Sequence, residues 1–239
     1  QNTYPNDGLD FTVTEINEQD TLPLAIVFIM DHSGSMGDER ALVVQEAVEE
    51  LIQGKRDQDT VAILKYDSRV GVESELAGNK NLLLSRLRKE GLGSYGGGTA
   101  LEDAAHEGVE RLKQVENFEQ KAIVIFTDGK ENSSVLTKTE LIAEASEADI
   151  KIYTVAFGSE VDEEYLTSMA TSTHGSYYQI YEPCSFLIFL MMFTAECAII
   201  TASNLKPIPL ANIPLPLNYA CQMAKILSSL SLKTIPLFK

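Results

Sequence analysis

The chain has little cysteine, few basic residues and no long uninterrupted apolar run. Its three cysteines, Cys184, Cys197 and Cys221, all lie beyond residue 183, so the preceding part of the 239 residues carries no disulfide framework. This usage fits the cytoplasm, the periplasm or a bacterial surface equally well. With 19 basic against 35 acidic residues, the formal net charge of −16 argues against nucleic acid or anionic lipid as the main partner.

Sequence motifs of several common enzyme classes are also missing. The stretch "HSGSM" (32–36) does not match the G-x-S-x-G elbow of hydrolases, and no paired histidine and acid stand at matching strand ends. Neither a phosphate-binding G-x-x-x-x-G-K-[ST] loop nor a G-x-G-x-x-G follows the first apolar run. We therefore expect a protein that is not an enzyme, and we assign no catalytic residue and no organic cofactor.

The composition changes sharply near Pro183. Residues 1–182 contain 34 acidic and 15 basic residues, whereas residues 183–239 contain one acid, four lysines and six of the eight prolines. We divide the chain into an N-terminal lead-in segment (1–22), a globular domain (23–182) and an apolar, proline-rich tail (183–239). Because the first residue is Gln1 rather than Met, we expect a processed or excised piece of a longer protein.

The tail allows three interpretations. A membrane anchor is not favoured, because only about eleven apolar residues precede Glu196, short of the roughly twenty that span a bilayer. We favour a tail read in the wrong frame: shifting the codons by one base turns Met191–Met192 into Asp, and the window 186–201 then permits "FNIFNDVYRRMRNYY". That string is an amphipathic basic helix leading to an aromatic strand. A genuine tail is the third possibility.

Alternating strands and helices are predicted for the domain. Short runs rich in branched or aromatic residues are typical of strands buried on both faces; these are "LAIVFIM" (24–30), "VAILKY" (61–66), "KAIVIF" (121–126) and "IKIYTVAF" (150–157). Amphipathic stretches at helical spacing occupy 39–53, 99–114, 137–148 and 162–170. We add an antiparallel edge strand in "RVGVESELA" (69–77) and a last strand in "GSYYQIYE" (175–182). The prediction is an α/β fold, with a Rossmann-like, doubly wound, mostly parallel six-stranded sheet and helices on both faces.

Three loops at predicted strand ends carry oxygen-bearing side chains. These are Asp31, Ser33 and Ser35 in "DHSGSM" (31–36), Thr99 in "GSYGGGTALEDA" (93–104) and Asp128 in "IFTDGKEN" (125–132). Ligands of open parallel sheets bind beyond the carboxyl ends of the strands. Three hydroxyls and two carboxylates are hard donors, which suit Mg²⁺, Mn²⁺ or Ca²⁺ and suit Zn²⁺ or Cu²⁺ poorly.

Each loop also has a simpler explanation. Asp, Ser and Gly are common turn formers, so Asp128 and Gly129 alone would indicate a turn, and residues 35–38 are suited to cap a helix that opens near Glu39. Thr99 has Glu102 three residues on, which is a capping-box pattern. We expect His32 to point away from the ion, because it alternates with the donors of its loop. Neither His106 nor His174 shows a partner in the sequence.

Asp-x-Ser-x-Ser, a distant Gly-Gly-Thr and a later Thr-Asp-Gly resemble the metal-ion-dependent adhesion site of bacterial-type von Willebrand factor A domains, over roughly residues 22–182. The resemblance implies that Ser33 and Ser35 bind the ion directly and that Thr99 binds directly or through water. Asp31 and Asp128 are expected to hold metal-bound waters by hydrogen bonds. With neutral protein ligands the ion keeps most of its charge, so an exchangeable position attracts a Glu or Asp carboxylate of a partner.

The expected function is that of a divalent-cation-dependent protein-binding module, for adhesion or assembly, with Mg²⁺ preferred over Mn²⁺ or Ca²⁺. The alternative is an intracellular partner subunit of an ATPase or chelatase-type assembly. A metal-dependent hydrolase is disfavoured, because such enzymes use more carboxylate ligands and a general base. The acidic composition and the run "FTVTEIN" (11–17) favour an exported protein, in the periplasm or at the cell surface, over a cytoplasmic one.

Overall fold

The computed structural model describes residues 23–88, 96–118 and 120–181, together with Phe193. The predictions for the lead-in segment and for the frame and membrane association of the tail lie outside these residues. None of the helices in the described ranges combines the length and the apolar character that a bilayer-spanning helix requires.

One sheet of six strands forms the centre of the domain. The strands are β1 (Leu24–Asp31), β2 (Thr60–Tyr66), β3 (Val70–Ala77), β4 (Gln120–Thr127), β5 (Ile150–Phe157) and β6 (Tyr177–Ile180). Their order across the sheet is β3-β2-β1-β4-β5-β6. Strand β3 is antiparallel to β2, and every other neighbouring pair is parallel. The predicted mostly parallel sheet with an antiparallel edge strand is therefore confirmed.

Five helices are found in the described residues: α1 (Gly37–Gly54), α2 (Lys80–Leu87), α3 (Leu101–Lys113), α4 (Lys138–Glu147) and α5 (Glu163–Ser172). Four of them were predicted from their amphipathic spacing. Helix α2 was not, and its local signals are weak: the Asn79 side chain accepts from Leu82 N at 2.9 Å to cap it, and Leu83 and Leu87 are its buried residues.

The core consists of two apolar layers, one on each face of the sheet. Strand β1 is buried along its whole length, and its side chains alternate between the layers. Phe28 belongs to the layer that also contains residues of α1 and α2, such as Val48. Ile29 belongs to the opposite layer, with residues of α3, α4 and α5, such as Leu141. Helices therefore cover both faces, as predicted for a doubly wound sheet.

The chain reverses its winding direction at the carboxyl ends of β1 and β4. These strands are neighbours, but the chain visits β2 on the far side of β1 before it returns to β4. Asp31 ends β1, and Asp128 follows Thr127, the last residue of β4. Ser33 forms an isolated parallel bridge with Gly96. The fold thus brings the three predicted loops to one edge of the sheet, at its topological switch point.

Candidate metal-binding site

The first loop turns sharply after β1. Ser33 N donates to Asp31 Oδ1 at 2.8 Å, and Met36 N donates to Ser33 O at 3.2 Å. The N-cap residue of α1 is Met36, and no side chain caps the helix. The capping role considered for residues 35–38 is therefore wrong, and the Ser35 hydroxyl is directed at another loop.

The second loop packs tightly against the first and the third. Gly96 N donates to His32 O at 3.2 Å, and a Cβ atom on Gly96 would overlap the carboxyl group of Asp67. Thr99 N donates to the side-chain oxygen of Asn132 at 3.0 Å. The N-cap of α3 is Ala100 and has no side-chain hydrogen bond, so the capping box predicted at Thr99 is wrong. The Thr99 backbone ties the second loop to the third instead.

The hydroxyls and one carboxylate converge where the three loops meet. Ser35 Oγ lies 3.1 Å from Ser33 Oγ and donates to Asp128 Oδ1 at 2.8 Å. A Cβ atom built on Gly129 would lie 3.5 Å from both Ser35 Oγ and Thr99 Oγ1, so these two hydroxyls border the same glycine. The structure therefore brings together the side chains that the sequence placed in three separate loops.

Asp31 lies beneath this cluster and is held by a buried network. Its Oδ2 atom accepts from Thr127 Oγ1 at 2.8 Å and from Tyr66 OH at 3.3 Å. Burial raises the pKa of Asp31, the hydrogen bonds from Ser33 and Thr127 oppose the rise, and the charge of Asp128 adds to it. Burial also raises the pKa of Tyr66 well above its usual value. Tyr66 was not identified from the sequence, and Thr127 was part of the Thr-Asp-Gly motif without an assigned role.

A basic side chain, also unforeseen, contacts the candidate site from α1. Arg40 forms an ion pair with Asp128 through Oδ2, the oxygen that does not accept from Ser35. The Arg40 side chain is 47% exposed, whereas the Asp128 side chain is 0% exposed. Asp128 is thus shared between a hydroxyl and a guanidinium group.

Glu131 is half-buried and organises the third loop. Its carboxylate accepts from the backbone N–H groups of Ser133 at 2.7 Å, Ser134 at 2.6 Å and Leu101 at 2.5 Å. Burial acts to raise the pKa of Glu131, but hydrogen bonds, first among them one with Glu102, hold it below its usual value. The loop is therefore fixed to the start of α3 by an ionised side chain.

The donor set fits an ion that prefers oxygen ligands. It contains hydroxyl and carboxylate oxygens and no imidazole or thiol group. Asp31, Ser33, Thr99 and Asp128 are each at most 3% exposed. Ser35 is an exposed residue, so the cluster reaches solvent at this position. Such a buried cluster with one open side is able to hold a cation and to leave one coordination position of that cation accessible from solvent.

The sequence is similar to known proteins over most of the domain. The model of the von Willebrand factor type A domain family matches residues 25–186. Uncharacterized protein sll0103 of Synechocystis sp. is 26% identical over 168 residues, which are 68% of this chain and 39% of that protein. Inter alpha-trypsin inhibitor, heavy chain 4, of Mus musculus is 25% identical over 195 residues, 74% of this chain and 20% of that protein. The chain thus spans less than half the length of these relatives.

Solved structures share the fold at low sequence identity. A von Willebrand factor type A protein from Catenulispora acidiphila has a TM-score of 0.64 and 18% identity, covering 72% of this chain and 42% of that chain. Proximal thread matrix protein 1 from the mussel byssus, in a structure described as having a zinc occupied MIDAS motif, has a TM-score of 0.59 and 16% identity, covering 74% of this chain and 46% of that chain. At these identities the likeness concerns the fold alone.

Proposed function

Because the chain belongs to the von Willebrand factor type A domain family, whose members generally mediate protein–protein interaction, we propose that it binds a protein partner through a divalent cation. Ser33, Ser35 and Thr99 would hold the ion at the metal-ion-dependent adhesion site. The observation that carries the proposal is the position of Ser35 Oγ, 3.1 Å from Ser33 Oγ and 2.8 Å from Asp128 Oδ1, beside the glycine that Thr99 also borders.

The donor atoms favour Mg²⁺, with Mn²⁺ or Ca²⁺ as substitutes. All of these ions prefer oxygen ligands, and the small cluster of hydroxyls suits the smallest of the three best. The zinc reported at the MIDAS motif of the mussel protein supports divalent occupancy at this kind of site. Zn²⁺ is not our choice for this chain, because its preferred nitrogen and sulfur ligands are missing from the donor set.

The arrangement of the aspartates supports a site in which the ion keeps its positive charge and attracts a carboxylate of the partner. Both Asp31 oxygens are engaged, one by Ser33 N and the other by Thr127 and Tyr66, so this carboxylate is held behind the hydroxyls. The Asp128 carboxylate is engaged as well, by Ser35 and Arg40, so the ligands proposed to contact the ion directly are neutral hydroxyls. When bound, the ion supplies a positive charge and an exchangeable coordination position, which an acidic side chain of the partner is able to fill.

The net charge of the chain makes the cation essential to the proposed interaction. At a formal charge of −16, the protein repels an acidic partner at long range. A carboxylate therefore gains affinity only at the ion itself, and chelation is expected to abolish binding rather than to weaken it. We propose that the module binds without catalysing a reaction. A divalent-dependent hydrolytic activity that disappears in Asp31→Ala would overturn that part of the proposal.

Peptide selection tests the proposal and requires no identified partner. A random peptide display library is selected on the immobilised chain in Mg²⁺ and eluted with acid, and the binding of each enriched peptide is then measured with and without EDTA. We expect enriched peptides that share a Glu or Asp, that bind Ser74→Ala normally and that do not bind Ser33→Ala. The two serines are a matched pair, because both are buried, at 2% and 7% exposure.

Three results would contradict the proposed function. The first is a set of enriched peptides without a common acidic residue. The second is binding that survives EDTA, and the third is equal binding by Ser33→Ala and by the Ser74→Ala control.

A further inference from the structure

A second group of potential metal ligands lies between α3 and α4, formed by residues other than those of the candidate adhesion site. His106 and Glu110 are four residues apart on α3 and so share one face of the helix, and Glu144 comes from α4. One ligand atom from each of the three residues lies within 4.8 Å of the others. His106 Nδ1 is 2.8 Å from Glu144 Oε2, a partner for this histidine that was not evident from the sequence.

The chemistry of this group differs from that of the adhesion site. One imidazole nitrogen and two carboxylate oxygens are the ligand types that Zn²⁺ accepts, with bond lengths of about 2.0–2.2 Å. All three residues are half-buried, so each side chain is partly fixed by its helix and still reaches solvent. Three protein ligands with an open fourth position are the usual count of an accessible zinc site.

We propose that His106, Glu110 and Glu144 form a second metal site, which takes Zn²⁺ or a similar first-row transition ion and clamps α3 to α4. The proposal depends on the convergence of ligands from two helices, and it does not depend on the proposed function. An ion held there adds a metal cross-link between two helices that are already joined by the His106–Glu144 contact and the Lys113–Glu144 ion pair.

A neighbouring ammonium group shows that the two carboxylates already share a cation. Lys113 Nζ lies 2.8 Å from Glu110 Oε1 and 3.6 Å from Glu144 Oε2. The Lys113 side chain is 37% exposed and is therefore free to turn towards solvent when an ion replaces it. Lys113 is a competitor of the metal.

Zinc titration by calorimetry tests the site. All variants carry Ser33→Ala, so that the adhesion site is disabled, and circular dichroism verifies that each is folded. We expect the Ser33→Ala protein to bind one Zn²⁺. Adding His106→Ala weakens that binding by about tenfold or more. Adding His174→Asn, which removes a histidine at a positive-φ position (φ 60°) where Asn is tolerated, leaves it unchanged.

A second pair of variants separates the ligands from general charge effects. Glu144→Gln weakens zinc binding, whereas Glu147→Gln, at an exposed position on the same helix, does not. Lys113→Met strengthens binding, because the competing ammonium group is gone. The inference is overturned if the Ser33→Ala protein binds no zinc, or if His106→Ala and His174→Asn bind it equally. Neither outcome affects the proposed adhesion site, which is tested with Mg²⁺ and peptides.

Discussion

At the scale of single residues, Glu102 carries the clearest pH dependence. Glu102 is 1% exposed, and among the described residues its carboxyl oxygens accept no hydrogen bond, so only the protonated form gains one, by donating to Glu131. Burial, followed by the hydrogen bond and the charge of Glu131, raises the pKa of Glu102 to about 8. The folded protein thus keeps a proton that the unfolded chain, with a usual value of 4.5, has lost. This contribution to stability is complete below pH 4.5 and falls as the pH rises towards about 8.

We predict that Glu102→Gln removes this pH dependence. The free energy of unfolding of the parent protein should fall relative to that of the variant by on the order of 3 kcal/mol between pH 5 and 9. Urea denaturation at several pH values measures it, with Glu116→Gln, at an exposed position, as the control. Stability profiles of the parent and Glu102→Gln that stay parallel from pH 5 to 9 would show that Glu102 is ionised in the folded state.

Arg40 leads to a prediction about cation affinity. Its guanidinium group occupies one oxygen of Asp128, so a divalent ion at the adhesion site must compete with a positive charge already present. Arg40→Met should therefore increase the affinity for Mn²⁺ several-fold, as measured by calorimetry, whereas Arg86→Met on α2 should not change it. An unchanged or lower affinity in Arg40→Met would mean that the arginine supports the site.

The sequence predicted which oxygen donors come together, but not what surrounds them. Asp-x-Ser-x-Ser spacing places two hydroxyls beside one aspartate within a single loop, and strand ends bring in Thr99 and Asp128. The supporting contacts join distant positions: Tyr66 is 35 residues from Asp31, and Arg40 is 88 residues from Asp128. Such pairs depend on strand order and register, which local patterns do not encode. The role of the five donors as ligands stays a prediction.

At the scale of elements, the turn between α1 and β2 is held by a buried charge pair. Asp59 is 0% exposed. Its carboxylate accepts from the backbone N–H of Arg56 and from the guanidinium group of the same residue, with 2.8 Å between Arg56 Nη2 and Asp59 Oδ1. It also accepts from Leu24 N, the first residue of β1, at 2.9 Å. One side chain therefore joins the end of a helix to the starts of two strands.

Asp59→Ala should destabilise the domain by about 3–5 kcal/mol, because it removes the buried carboxylate that pairs with Arg56 and accepts from the N–H of Leu24. The matched control is Asp57→Ala, two residues away, where the side chain is fully exposed and its contact with Lys80 is 3.8 Å long. That control should change stability by less than about 1 kcal/mol. Thermal denaturation measures both variants, and equal effects would contradict the structural role of Asp59.

Strands were predictable because they are buried on both faces, which gives runs of apolar residues that loops do not tolerate.

The capping box predicted at Thr99 was wrong because the local pattern is ambiguous. A hydroxyl followed by Glu102 fits a capping box locally, yet the chain continues through Ala100 before α3 begins, and Asn132 takes the Thr99 N–H. Helix α2 has eight residues, too few for a periodic pattern to distinguish it from a loop.

At the scale of the whole molecule, Phe193 links the tail to the domain. It is fully buried and packs edge-on against Tyr153, with ring centroids 5.1 Å apart and an interplanar angle of 82°. It belongs to the apolar layer on the α1 face of the sheet. The division of the chain at Pro183 and the frameshift hypothesis stay predictions, but in the sequence as it stands residue 193 is part of the core.

Phe193→Ala should cost about 3–5 kcal/mol of stability, through lost burial and the cavity left beside Tyr153. Tyr181→Ala removes an aromatic ring of similar size that is 68% exposed, and it should have a small effect. Urea denaturation distinguishes the two. If Phe193→Ala is as stable as Tyr181→Ala, the domain is complete without the tail.

The central claim concerns the whole domain, because three loops from different parts of the chain must hold one ion. Anomalous diffraction from crystals soaked in Mn²⁺ tests it most directly. We predict one strong peak within about 2.5 Å of Ser33 Oγ and Ser35 Oγ, adjacent to Thr99 Oγ1, and no such peak in Ser33→Ala crystals. A parent crystal without a manganese peak among these hydroxyls, or an equal peak in the variant, would contradict the account.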